Sequence, residues 1–72
     1  MNPIPYLTPR ERDILAALTA GKTTRVIATE LYLSEGTVKS HLGSIYRKLG
    51  VSNRTEAALV GLRILSLWPS SR

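Results

Sequence analysis

The stretch SEGTVKSHLGSIYRKLG, residues 34–50, decides how the rest of the chain is read. Ser34 stands where a helix N-cap is expected, because its hydroxyl can accept from one of the first-turn N–H groups that have no partner inside the helix. Gly50 closes the stretch as a residue free to adopt the left-handed conformation of a helix stop. Between them Val38, Leu42, Ile45 and Leu49 fall within about 40° of one line at about 100° per residue, so the spacing predicts a helix over residues 35–49 with one buried face. The opposite side carries Gly36, Lys39, Ser40, Gly43, Ser44 and Arg47, which is basic, small and polar with no acid in it.

Working outward, only a three- or four-residue turn, around Tyr32 and Leu33, separates this helix from a shorter one that Thr23 or Thr24 can cap. Its inward residues are Ile27, Ala28 and Leu31, with Arg25, Thr29 and Glu30 toward water. Two helices joined so closely cross steeply, which holds the second outward. Further upstream, Thr8-Pro9-Arg10-Glu11 supplies a capping hydroxyl, a first-turn proline and a third-position glutamate, starting a helix over about residues 9–20 that stops at Gly21. Downstream, Asn53-Arg54-Thr55-Glu56 repeats that capping pattern for a fourth helix to about Leu67. Ala57, Ala58, Leu59, Val60, Leu62, Ile64, Leu65 and Leu67 cover nearly its whole circumference, more than one side of a small bundle can hide, so it asks for a second partner.

The expected fold is all-α: a compact four-helix domain over residues 6–68, with a central helix-turn-helix made by the second and third helices. Residues 1–5, with two prolines, read as a linker or frayed lead-in, and residues 69–72 as a disordered tail. Trp68 reads as a core-closing residue. A chain of 72 residues buries only roughly 60% of its unfolded surface, which leaves little room for an enzyme cleft. No apolar run approaches the ~20 residues of a membrane span, and the N-terminus lacks a secretory pattern, so the cytoplasm is the default compartment and no membrane partner is expected. With no cysteine and the single His41, neither a disulfide nor a zinc site can be assembled, and no cofactor is expected.

The net charge of +5 points to a polyanion or an acidic partner. Its placement is more telling. Through residue 38, Arg10, Arg12, Lys22 and Arg25 balance Glu11, Asp13, Glu30 and Glu35; after it, Lys39, Arg47, Lys48, Arg54, Arg63 and Arg72 stand against Glu56 alone. The whole excess begins inside the third helix.

A helix, a short turn and an outward helix with a small, basic face is an arrangement that the major groove of DNA accepts. Small residues at 36, 40, 43 and 44 let the helix axis approach the bases, Lys39 reaches base acceptors, and Arg47 grips the backbone. Ser34 and Thr37 lie at the helix N-terminus, where free N–H groups and the dipole attract a phosphate.

In LTPRERDIL, IATELYLSEGTVKSHL and YRKLGVSNRTEA the chain resembles the C-terminal DNA-binding domain of LuxR/GerE-type transcription regulators, from about Leu7 to Ala58. The resemblance implies a helix-turn-helix that binds double-stranded DNA at two half-sites as a homodimer through the fourth helix. It implies base contacts at Gly36, Lys39, Ser40 and Gly43, and phosphate contacts at Thr24, Arg25, Ser34, Thr37, His41, Arg47 and Arg54. The implied dimer surface includes Thr55, Leu59, Val60 and Arg63, in agreement with the surplus apolar surface. Gly36 and Gly43 depart from the family, whose members often carry a base-reaching polar side chain there, so shape and bridging water are expected to share the readout with Lys39 and Ser40.

Other features have plainer readings. His41 is a packed or phosphate-facing side chain rather than a catalytic base, since no acid orients it. Glu11, Glu35 and Glu56 lie in first turns, where capping and the helix dipole account for them. Lys22 and Lys48 read as solvated charges. The competing class is a protein-interaction module docking through the fourth helix on another domain or on RNA polymerase, with DNA incidental. An enzyme is not expected: the chain offers no triad, metal set or phosphate-binding glycine loop.

Overall fold

The computed structural model describes residues 6–67, so the expectations for residues 1–5, for Trp68 and for residues 69–72 lie outside the described residues. Four helices follow in order, α1 (Pro9–Thr19), α2 (Thr24–Leu31), α3 (Glu35–Leu49) and α4 (Arg54–Leu67), and no strand occurs among the described residues. None of these helices is long and apolar enough to cross a membrane.

Local chemistry sets the boundaries. Thr8 caps α1 by accepting from the Glu11 N–H at 3.1 Å, while Glu11 Oε1 accepts from the Thr8 N–H at 2.9 Å, which completes a reciprocal capping box. Thr23, rather than Thr24, caps α2 through the Val26 N–H at 3.2 Å. At α4 the box is displaced by one residue: Asn53 Oδ1 accepts from the Glu56 N–H, and the Glu56 carboxylate accepts from the Ser52 N–H.

Three helices end by the same device, in which the N–H two residues past the last turn reaches back to a carbonyl five residues earlier. Lys22 bonds to Ala17, Leu33 to Ala28 and Val51 to Tyr46. The device needs a left-handed residue, supplied by Gly21 after α1 and by Gly50 after α3. After α2 it is Tyr32, with φ 59°, a conformation that costs a side-chain-bearing residue about 1 kcal/mol or more. Tyr32 is also 94% exposed, so no burial of its ring offsets that cost.

The core is formed by Leu7, Ile14, Leu15, Leu18, Ile27, Ala28, Val38, Leu42, Ile45 and Ala57, with Ile64 also buried. α1 is the central strut, packed against α4 and α3, while α2 rests mainly on α3. The crossing of α1 and α4 is tight at Gly61, where an added Cβ would stand 2.8 Å from Leu15 Cδ1 and 2.9 Å from Thr19 Cγ2. Arg54 ties the start of α4 to the α1–α2 turn by donating from Nη2 to the Lys22 carbonyl.

Among the described residues one charged side chain is buried with this core: Glu11, 4% exposed. Beyond its capping bond, its Oε2 accepts from Ser44 Oγ at 2.8 Å and its Oε1 from Lys48 Nζ at 2.8 Å, both on α3. The Lys48 ammonium also stands 5.3 Å from the centre of the Tyr6 ring. Capping therefore does not account for Glu11 fully, and Lys48 is not an ordinary solvated charge. Burial alone would raise the Glu11 carboxyl, but the bonds from Lys48, the Thr8 N–H and Ser44, with the Lys48 charge, outweigh it and lower the pKa from 4.5 to about 2.

Gly61→Ala is expected to lower stability by about 1 kcal/mol, because an overpacking cost of about 1–3 kcal/mol exceeds the gain of about 1 kcal/mol in helix propensity. Urea melts measure it, and a stabilised variant would show that α1 and α4 part without cost. For Glu11, the lowered folded-state pKa means that its contribution is fully present above the unfolded value near 4.5 and is lost as pH falls toward 2. Unfolding free energies measured across that window should fall more steeply for the native chain than for Glu11→Gln. Parallel pH profiles would contradict the assignment.

Candidate nucleic-acid interface

The turn between α2 and α3 is three residues, Tyr32, Leu33 and Ser34. Leu33 is half-buried and pins the turn to the core, so α3 leaves it at a fixed point. Ser34 caps α3 by accepting from the Thr37 N–H at 3.0 Å, and its own proton goes to Thr37 Oγ1 at 2.9 Å. That pairing brings together two of the predicted phosphate contacts, both exposed, and does not use the Thr37 hydroxyl proton.

Around α3, only Val38, Leu42 and Ile45 are buried. The remaining circumference divides into two flanks and a back. At about 100° per residue, Gly36, Lys39 and Gly43 share one flank, Ser40 and Arg47 lie at the back, and Thr37, His41, Ser44 and Lys48 share the other flank. Glu11 of α1 occupies the second flank through its bonds to Ser44 and Lys48. Ser44, read from sequence as part of the bare outward face, is thus held against α1 by the Glu11 side chain of its first turn.

The first flank and the back stay open. Gly36, Lys39, Ser40 and Arg47 are exposed, and Gly43 is half-buried beside the Arg47 side chain. A Cβ at Gly36 would meet nothing nearer than Ser34 Oγ at 3.9 Å, and one at Gly43 nothing nearer than Arg47 Nη1 at 3.8 Å. Internal packing therefore does not require glycine at either position, although each costs about 1 kcal/mol of helix propensity relative to alanine. This contrasts with Gly61, where packing does require it.

Charge pairing leaves the same surface positive. The carboxylates of Asp13, Glu30 and Glu11 engage Arg10, Lys22 and Lys48 respectively. Among the described residues, no carboxylate lies within ion-pair range of Arg25, Lys39 or Arg47. Of the other predicted phosphate contacts, Arg25 is exposed on α2, Thr24 and His41 are half-buried, and Arg54 is half-buried with one N–H committed to the Lys22 carbonyl.

On α4, Ala57, Gly61 and Ile64 face inward. The opposite face carries Thr55, Leu59, Leu62 and Arg63, with Leu59 65% and Leu62 55% exposed. Leu62 was not among the predicted dimer residues, and Val60, which was, is half-buried to one side. A helix apolar all round carries no periodic signal for its free side; only the position of α1 reveals it.

Comparison with known proteins agrees with this architecture. Residues 5–60 match the family model described as bacterial regulatory proteins, luxR family. The chain is 45% identical over 60 residues to the spore germination protein GerE of Bacillus subtilis, covering 83% of this chain and 81% of that protein. It is 52% identical over 54 residues to the transcriptional regulatory protein YvfU of the same organism, covering 75% of this chain but 27% of that longer protein. In three dimensions it resembles a chain in the crystal structure of the anti-activator RapF complexed with the response regulator ComA DNA-binding domain, with TM-score 0.76 and 44% identity, covering 79% of this chain and 98% of that one. A helix-turn-helix with an open basic flank, matched by sequence and by fold, makes this chain a member of the luxR family of bacterial regulatory proteins and places it among the DNA-binding domains of transcription regulators.

Proposed function

We propose that the domain recognises a specific double-stranded DNA sequence by inserting the open flank and back of α3 into the major groove. The observation that carries this reading is the combination on that surface: two glycines that internal packing does not require, beside Lys39 and Arg47 with no carboxylate of the described residues in range. Absent side chains at Gly36 and Gly43 let the helix backbone come close to base edges. Lys39 and Ser40 then supply the direct base contacts, and DNA shape and bridging water the remainder.

Phosphates are held around this reading head. Ser34 and Thr37 present a hydroxyl pair and the positive end of the α3 dipole, Thr24 and Arg25 approach from α2, and Arg47, His41 and the remaining guanidinium donors of Arg54 complete the grip. Two copies paired through the exposed face of α4 would read two half-sites, with Thr55, Leu59, Leu62, Arg63 and the edge at Val60 in the shared surface. Transcription control by such a dimer takes place with the chromosome in the cytoplasm, where RNA polymerase is a further partner. Docking through α4 with DNA incidental is not favoured, because the family to which the chain belongs is defined by its DNA-binding helix-turn-helix. The same membership argues for a regulator rather than an enzyme.

With the preferred duplex selected from a random pool, Lys39→Ala should weaken binding by about 1–3 kcal/mol and relax the preference at one base position. Arg47→Ala should weaken selected and random duplexes alike and reduce the salt slope by about one. Salt-titrated anisotropy compares them, and two variants that act identically on every sequence would contradict the division of roles. Separately, Leu59→Asp with Leu62→Asp should leave the monomer folded by circular dichroism yet reduce affinity for a two-site duplex far more than for a half-site. An unchanged ratio would remove α4 from the dimer.

A further inference from the structure

Glu11 is the one buried charged residue among the described residues, and all of its bonds converge on two places. Within α1 it is fixed at both ends, its N–H donating to Thr8 and its Oε1 accepting from the Thr8 N–H. Across to α3, separate carboxylate oxygens hold Ser44 Oγ and Lys48 Nζ, each at 2.8 Å. Ser44 and Lys48 are one turn apart on a single flank of α3, so the two bonds act along that flank like two pins. Ser44 directly follows Gly43, and Lys48 directly follows Arg47.

We propose that Glu11 is a positioning residue for DNA reading: by pinning Ser44 and Lys48 it sets the rotation of α3 about its own axis, and so which side chains of the open flank meet the bases. This rests on the major-groove reading of α3 given above. The apolar seam alone cannot set that angle sharply, because apolar contact is non-directional. Hydrogen bonds are directional and tolerate only a few tenths of an ångström. A rotation of about 20° carries a side-chain end about 5–6 Å from the helix axis through about 2 Å, enough to break any contact made by Lys39 or Ser40. Lys48 thereby serves recognition through its bond to Glu11 rather than through contact with DNA.

The test is a specificity ratio, the affinity for the selected duplex divided by that for random duplex, measured with the 72-residue chain at a temperature where each variant is fully folded by circular dichroism. Ser44→Ala combined with Lys48→Met should lower the ratio by about tenfold or more, the equivalent of one charge-assisted bond. Glu11→Gln should lower the ratio as well, while its affinity for random duplex holds or rises because the chain loses a negative charge. Adding Glu11→Gln to the double variant should lower the ratio no further, since all three act through one clamp. Lys48→Arg, which keeps a charged donor, should restore most of it.

With every variant fully folded, a purely structural role would leave the ratio intact, and that result would overturn the proposal. If Glu11→Gln does not fold, Ser44→Ala with Lys48→Met decides the matter alone, because it leaves the α1 cap untouched. The two readings fail differently. A native chain that shows no preference for the selected duplex refutes groove reading, whereas a native chain and variants that discriminate equally well refute positioning by Glu11.

Discussion

A fifteen-residue helix held by three buried side chains, Val38, Leu42 and Ile45, is the constraint on which the rest of this domain depends. So narrow a seam leaves most of the helix surface for another purpose, but it also leaves the helix poorly located. Every neighbouring element compensates for that. Leu33 anchors the entry to α3, Gly50 and Val51 close its exit by a reversed hydrogen bond, and Glu11 reaches from α1 to pin its protected flank. What remains open is a strip of Gly36, Lys39, Ser40, Gly43 and Arg47, in which, among the described residues, neither Lys39 nor Arg47 has a carboxylate in range.

The glycines make the logic of that strip explicit. Gly61 has neighbours that a methyl group would strike, so its absent side chain serves packing inside the protein. Gly36 and Gly43 have no such neighbours, and the helix is weaker for them. A domain of this size has little stability to spare. Two helix-weakening residues, Gly36 exposed and Gly43 half-buried, beside Lys39 and Arg47 are what the proposed approach to duplex DNA rests on.

Much of this was legible from sequence, and the exceptions have physical causes. The starts of α1 and α3 are readable because capping is written in nearby residues, Thr8 with Glu11 and Ser34, while two adjacent threonines leave the start of α2 open between Thr23 and Thr24. The ends of α1 and α3 were readable because glycine advertises the left-handed stop. The end of α2 was not, because Tyr32 adopts that conformation without the residue type that announces it. From sequence Glu11 reads as a cap and nothing more, since its other partners lie 33 and 37 residues away and no local pattern links them. For the same reason the sequence puts Ser44 on the open face. On α4 the surplus of apolar surface, Leu62 included, is evident from sequence, but its free side is not, because only the position of α1 shows which side is covered.

The most direct measurement is amide chemical-shift mapping of the isotopically labelled chain titrated with its selected duplex. Insertion of α3 into the groove predicts the largest shifts over residues 34–47, strongest along Gly36, Lys39, Ser40 and Gly43, with the buried seam at Val38 and Ile45 moving less. Tight binding of the duplex with those residues unperturbed, and the shifts gathered on another face, would contradict it.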